Sequence, residues 1–504
     1  MLPLYRNLLR CRETDMKRLA TSIILLSLAT GCTVGPNYKR PTVDVPGAYR
    51  GAPPSTGNSE PAAQPAEEKK EKTTPQTAAQ ATQAAAVSFA DEKWWDVFKD
   101  KQLQDLIRTA IQNNYDVNIA AAQILKAQAQ LGITRADQLP TISAGAAALN
   151  VQLPQIKSIT PTTDTSVDAV GANLSWQLDF WGKYRRATEA ARANLLAKRW
   201  AREYVISTLV SDVAASYFQL RAYDLQLEIA RRTLASRQES LQLTRTLADG
   251  GAATMLDVRQ AEQLVSEAAE TIPNLERLIE QQENYISTLV GKNPGPIVRG
   301  LPLTEQPHSP EVPAGLPSGL LERRPDIREA EAQLMAANAE IGVAKAAYYP
   351  DISLTATAGY ASSALTSLFT GPAGFWAFGG TLAQPIFAGG RIKSGVRYTE
   401  AQQQEYLLTY RRTIQQAFRG VSDSLVGYQK NREYRQRQEE LVVSAQDAAQ
   451  LSQDRFRGGA TGYLEVLTNE TNAFNAQLGL AQAQANELLS LVEIYRNLGG
   501  GWEL

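Results

Sequence analysis

From Val170 to Phe180 the apolar side chains Val170, Ala172, Leu174, Trp176, Leu178 and Phe180 alternate with Gly171, Asn173, Ser175, Gln177 and Asp179. A period of two marks a strand with one apolar and one polar face, and about eleven residues is the length of a tilted membrane strand. The alternation returns in Ile352, Leu354, Ala356, Ala358 and Tyr360, set against Ser353, Thr355, Thr357 and Gly359. The pattern predicts strands over 166–180 and 351–361, with weaker partners over 141–151 and 375–388. Pro-, Ser-, Thr- and Gly-rich loops at 152–165 and 362–374 separate the members of each pair.

Elsewhere the period is helical. Lys183–Asp249 contains no Gly or Pro and is dense in Ala, Leu, Arg, Glu and Gln, so it reads as one unbroken helix. At about 1.5 Å per residue it would reach roughly 100 Å, too long for one globular core, and it must belong to a coiled coil, a bundle or an assembly. The same rod recurs over Arg391–Arg457, free of Pro but carrying Gly395, Gly420 and Gly427. Shorter helices are expected at 102–113 and 116–138, and return helices at 256–290, with Pro273 as a kink, and at 464–498.

These repetitions extend to whole units. DVNIAAAQILKAQAQLGITRADQLPTIS, from Asp116, parallels DIREAEAQLMAANAEIGVAKAAYYPDIS, from Asp326, with Gly132 over Gly342 and Pro140 over Pro350. Past the rods, GGAATMLDV from Gly250 parallels GGATGYLEV from Gly458. The chain is therefore a tandem duplication, with repeats at 91–290 and 326–504 and a Pro-rich connector at 291–325, too apolar at LPSGLLERRPDI to hang free. Gly250, Gly251, Gly458 and Gly459 stand where a helix can end on a left-handed residue, so each rod ends in a tip turn, near 250–256 and 458–464, opposite the strands. Neither turn has the Lys and Ser/Thr of a phosphate-binding loop.

Four strands cannot close a barrel, since even small barrels take about eight. An apolar outer face that meets lipid tolerates no unpaired edge. Copies of the chain must then pool strands, and two or three copies would both serve.

The N-terminus reads as an export signal over 1–31, with Met16 a plausible start and Lys17 and Arg18 before the apolar run Leu19–Ala29. That run is too short to span a bilayer. It leads to LATGC, where Cys32 is the candidate for lipidation and membrane tethering, though Ala29 stands where Leu is usual in such a box. A plain secretory signal with an unmodified cysteine is the alternative. Residues 32–90 then form a tether, punctuated by Pro36, Pro41 and Pro46 and continuing as low-complexity sequence, expected to be disordered or loosely draped. Trp94, Trp95 and Phe98 are packing anchors for the first helix.

Composition narrows the chemistry. A net charge of −1 gives nucleic-acid binding no support. With two cysteines, Cys11 and Cys32, and one histidine, His308 in a Pro-rich loop, neither a zinc site nor a histidine triad can be assembled. No cofactor is expected and the chain does not read as an enzyme; carboxylate-only catalysis is the residual option.

CTVGPNYKRP, WWDVF, LPSGLLERRPDIREAEAQL and the paired GG-A-T tips resemble the lipoprotein outer membrane factors of Gram-negative drug efflux systems, the TolC-like, NodT-type group, over essentially everything after Cys32. The resemblance implies a mostly α fold with membrane β: a homotrimer whose three copies build a twelve-stranded β-barrel in outer membrane lipid and a twelve-helix periplasmic α-barrel. It implies passive conduction of drugs or other small toxic compounds, handed over by a periplasmic adaptor of the membrane-fusion type and an inner-membrane pump of the resistance, nodulation and division type. On it, Gly250, Gly251, Ala252, Thr254 and Leu256, with Gly458, Gly459, Ala460 and Leu464, would meet the adaptor, and Leu451, Asp454 and Arg455 would form the periplasmic gate. An exit duct for protein secretion, or a periplasmic coiled-coil adaptor without lipid-facing strands, are the competing readings.

Overall fold

The structure, a computed structural model, describes residues 33–50, 88–152, 164–307, 312–313, 315 and 317–502. Helices α1 (Lys101–Asn113) and α2 (Tyr115–Ala136) precede strands β1 (Thr141–Gln152) and β2 (Asp164–Leu178), and the long helix α3 (Lys183–Asp249) and return helix α4 (Met255–Leu289) follow. The second repeat gives α5 (Pro325–Ala346), β3 (Asp351–Ser362), β4 (Gly374–Ala383), the long helix α6 (Arg391–Arg457) and the return helix α7 (Tyr463–Asn497). Both long helices run unbroken over 67 residues, and α6 passes through its three glycines. No helix among the described residues is long and apolar enough to cross a membrane.

Two strand ends differ from the pattern. β2 stops at Leu178, short of the expected 180, because Trp181 turns away to stack on Tyr349 at 4.7 Å between ring centroids and to donate Nε1–H to the Pro350 carbonyl at 2.8 Å. β4 stops at Ala383, short of 388: Pro385 has no N–H for a ladder, and Ile386 and Phe387 leave the sheet almost fully exposed. The return helices start one residue earlier than expected, with Thr254 and Gly462 as their caps, and α4 continues through Pro273.

By contacts the chain divides into two compact units. One holds the described residues up to Thr42 with Gln123–Lys198 and Glu329–Tyr410. Its sheet is antiparallel throughout, in the order β1-β2-β3-β4. That order leaves β1 and β4 as edges. The segment from Thr33, expected to lie loose, is instead pinned within this unit. Val34 N–H donates to the Trp181 carbonyl at 3.0 Å, and buried Arg186 donates to the Val34 carbonyl and, at 2.7 Å, to Asn37 Oδ1. Gly35, at φ +101°, lies so close to Gly342 that a Cβ on it would stand 2.5 Å from the Gly342 Cα. A buried guanidinium needs acceptors, and the Val34–Asn37 backbone and side chain supply them. Residues 1–32, 51–87 and 308–311, and with them Cys11, Cys32 and His308, lie outside the described residues.

The other unit holds Val43–Ala122, Arg199–Arg328 and the chain from Arg411 onward. Phe98 packs edge-on against Phe218 and Tyr495, at 6.2 and 6.0 Å, and these rings are buried, as are Leu103 and Ile107 of α1. Each such side chain is worth about 1.5–3 kcal/mol of burial. Trp94 and Phe98 are thus core residues, as the sequence suggests. Asp100 caps α1 and accepts at Oδ2 from the Tyr217 hydroxyl at 2.8 Å, Leu301 N–H at 2.9 Å and Gln306 Nε2 at 2.9 Å. That carboxylate ties the connector to α1 and α3.

Candidate functional site

In an antiparallel ladder directly paired residues share a face, so the register sorts every strand side chain. One face carries Ile142, Leu174, Trp176, Leu178, Ile352, Leu354, Leu382, Phe378 and Trp376, with alanines and glycines between them. Trp376 and Phe378 are 74% and 79% exposed and stack in parallel at 5.9 Å. The opposite face carries Thr141, Ser143, Asn173, Ser175, Gln177, Ser353, Thr355, Thr357 and Thr381 over its helix-proximal rows. An exposed apolar surface this broad is not a water-facing one. It matches the lipid-out, water-in alternation of a membrane β-barrel wall, with two open edges that only other strands can satisfy.

The tips are closed turns with defined bonds. At the first, Gly250 N–H donates to the Thr246 carbonyl at 3.1 Å, and Ala252 N–H reaches back to the Leu247 carbonyl at 2.8 Å while Gly251 takes φ +75°. At the second, Gly458 N–H donates to the Asp454 carbonyl at 3.0 Å, and Ala460 N–H reaches the Arg455 carbonyl at 2.8 Å with Gly459 at φ +70°. The positive φ is what demands glycine. Thr254 and Asp257 form a reciprocal capping box on α4. Burial pushes the Asp257 carboxyl up, but the Thr254 N–H and hydroxyl and the Tyr463 N–H that donate to it outweigh this and hold it below its ordinary value. Gly462 caps α7 without a side chain, and Thr461 Oγ1 donates to Glu465 Oε2 at 2.5 Å instead.

Beneath the turns Tyr463, Val466, Ala261 and Leu264 form one buried cluster, flanked by Leu241 and Phe456. The two tips therefore share a core, while Leu256 and Leu464 stay exposed outside it. Leu451 is 63% exposed. Asp454 lies 3.7 Å from Arg457 and accepts from Gln450 Nε2 at 3.3 Å, and Arg455 lies 3.6 Å from Glu465. The two charged gate candidates thus belong to separate exposed ion pairs.

A node the sequence pattern does not single out lies on the same helices. Arg237 of α3, 2% exposed, donates to the Leu264 carbonyl of α4 at 2.8 Å and to the Glu470 carbonyl of α7 at 3.3 Å. It pairs with Glu267 at 3.2 Å and Glu470 at 3.8 Å, and its guanidinium covers the Phe474 ring at 5.0 Å. Gln453 of α6 donates to Glu470 as well, so four helices meet at one buried charge. The signal that could have found it is spacing: Ala230, Arg237 and Thr244, seven residues apart, are buried in turn and put the arginine on a helix seam.

Comparison with known proteins agrees with this architecture. The sequence profile of the family described as outer membrane efflux protein matches the chain twice, over residues 106–292 and 316–500, one match for each repeat. The chain is 36% identical to the probable efflux pump outer membrane protein TtgC of Pseudomonas putida, over 95% of this chain and 96% of that one. It is 32% identical to the cation efflux system protein CusC of Escherichia coli, over 94% and 96%. Among solved structures, the open state of the Neisseria gonorrhoeae MtrE outer membrane channel superposes with a TM-score of 0.80 at 28% identity, covering 94% of this chain and 99% of that one. A doubled profile match, relatives aligned from end to end and a shared fold place this chain in the outer membrane efflux protein family.

Proposed function

We propose that three copies of this chain form the exit duct of an efflux pump, passively conducting drugs or other small toxic compounds across the outer membrane. The observation that carries the proposal is the sheet: four strands, two open edges, one face apolar over its helix-proximal rows and the opposite face polar over the same rows. Three such sheets joined edge to edge make a closed twelve-stranded wall with its apolar side in lipid and a wet lumen, which removes every unpaired edge. The relatives carry names of toluene, antibiotic and cation efflux, which favours efflux over protein secretion and leaves cargo to the partners upstream. The driving energy comes from an inner-membrane pump of the resistance, nodulation and division type, coupled through a periplasmic adaptor.

In this reading the turns at Gly250–Leu256 and Gly458–Leu464 are the surface the adaptor meets. Exposed Leu256 and Leu464 offer the apolar contact, and the shared core beneath keeps the two turns in fixed register. Leu451, Asp454 and Arg455 form the periplasmic gate, and the Asp454–Arg457 and Arg455–Glu465 pairs are the contacts to be exchanged on opening. A lipid on Cys32 adds a second membrane anchor. The test is deletion of the gene in cells with and without the cognate pump. Drug accumulation should rise only where the pump is present, and the purified protein should run as a heat-modifiable trimer. A monomer in detergent, or accumulation unchanged in pump-expressing cells, refutes the proposal.

A further inference from the structure

The loop that joins β3 to β4 carries no charge; between Asp351 and Arg391 the sequence holds no Asp, Glu, Lys or Arg. Two short helical turns, Leu365–Ser367 and Gly371–Ala373, give it a defined course. Three of its hydroxyls bond within the loop itself. Ser367 donates its hydroxyl to the Ala364 carbonyl at 3.0 Å and lies 2.5 Å from Ser362 Oγ, and Thr370 donates its own to the Ser367 carbonyl at 2.7 Å. The apolar side chains divide: Leu368 turns in and is 5% exposed, whereas Leu365 and Phe369 stand out at 71% and 74%. A loop made for water would expose its hydroxyls and hide its phenylalanine.

Phe369 shows where the loop lies. Its ring is 5.8 Å from the ring of Tyr360, and Tyr360, in step with Ile352 and Leu354 along β3, belongs to the apolar outer face, where it pairs with Val170 and Gly374. This is the last apolar row, since the next outer row is Ala148–Asp168–Ser362. From Ile352 to Tyr360 the outer rows run about 27 Å along the strand, or about 21 Å of membrane thickness at a tilt of about 40°. The apolar band of such a barrel is about 25 Å tall and is bordered by aromatic side chains, so Phe369 stands at its outer border.

We propose that the β3–β4 loop is a lipid-binding element that lies on the outside of the wall and sets Phe369 and Leu365 among the acyl chains of the outer leaflet. The inference rests on the channel reading above, in which this face of the sheet meets lipid and its loops face outward. Continuity names the occupant: Phe369 extends the lipid-facing surface at Tyr360, on an inner strand, and not the free edge of β4 where a second copy joins. A phenylalanine that leaves water gains about 1.5–3 kcal/mol, and polar groups already bonded inside the loop lose little on the way in. A loop held on the lipid side cannot also fold across the lumen, so it leaves the outer mouth clear.

The test uses single cysteines carrying a nitroxide label in the full-length chain, reconstituted as trimers in phosphatidylcholine vesicles, with the signal of the parent chain subtracted. Collisions with oxygen, which concentrates in lipid, are measured against collisions with a water-soluble nickel chelate. Phe378→Cys reports the lipid face and Thr357→Cys the lumen. At Phe369→Cys the balance should shift to oxygen, toward the value at Phe378→Cys and away from that at Thr357→Cys. Leu365→Cys should show the same shift, and it takes over if Phe369→Cys does not assemble. Chelate collisions prevailing at the loop sites place the loop in water and overturn the proposal; loss of collisions with both reagents there overturns it in favour of contact with a second copy. Chelate collisions at Phe378→Cys with oxygen collisions at Thr357→Cys reverse the two faces, and the channel reading falls with them.

Discussion

Asp100→Asn isolates the buried carboxylate that joins the connector to the first helix. Asp100 is 1% exposed; two N–H groups, of Gln102 and Leu103, donate to Oδ1 at 2.9 and 3.4 Å, and three donors converge on Oδ2. Asparagine has the same shape but only one acceptor oxygen, so either orientation strips at least two of the five donors of their acceptor. Hydrogen bonds to a charged group are worth about 1.5–3 kcal/mol each, which sets the cost at about 3 kcal/mol or more. Substitutions of that size belong to the minority that break a buried network. Nor can the surroundings give way: a Cβ on Gly300 would stand 2.1 Å from Oδ1, and Gly300 N–H is held by the Tyr217 hydroxyl at 2.7 Å. The assay is thermal unfolding of the detergent-solubilised protein, followed by tryptophan fluorescence, with limited proteolysis of the connector. The variant should melt earlier and be cut earlier near 300–307. The pH dependence supplies a second reading. Burial pushes the Asp100 carboxyl up, yet the Gln306, Tyr217, Leu301 and Gln102 donors outweigh it and leave it below its ordinary value. A lowered carboxyl stabilises the fold above the unfolded value, about 3.9, and that contribution disappears as pH falls through the folded value. Wild type and variant should therefore converge in acid. An asparagine variant that melts with wild type at neutral pH refutes the account.

Three further outcomes test other parts of the fold. Phe378→Lys places a charge on the lipid face, at a cost of about 2–4 kcal/mol near mid-membrane, and should abolish trimers, whereas Thr357→Lys on the lumen face should assemble; the reverse result on heat-modifiable gels would invert the sheet. Gly359→Ala should block β2–β3 pairing and lower outer-membrane yield, because its Cβ would stand 2.2 Å from the Val170 carbonyl oxygen; a yield equal to wild type would refute this register. Arg237→Met leaves Glu470 and Glu267 without their buried cation and should cost about 3–5 kcal/mol in thermal unfolding. Adding Glu470→Gln should restore part of that, and a double variant no more stable than the single one would show that the pair is not coupled.

The elements legible in the sequence were those fixed by local chemistry. Both long helices have the bounds that helix-forming composition and flanking glycines set, because propensity and capping act within a few residues. Period-two alternation located the four strands and separated the faces of β2 and β3. It failed at the ends of β2 and β4, where Trp181 finds a partner in Tyr349 and Pro385 removes a donor. The looseness expected after Cys32 also failed, since Val34 and Asn37 are held by Arg186, some 150 positions along the chain.

What the sequence determined by itself is the duplication, the strand and rod content and the tip turns. What only the tertiary structure decided is which distant residues meet: the register that aligns Gly145, Gly171 and Gly359 into one row, the five donors around Asp100, and the four helices around Arg237. Local periodicity says which face a side chain takes within its own element. A row, a buried carboxylate or a seam cation is defined across elements, and its energy exists only once pairing and packing have removed the water from between them.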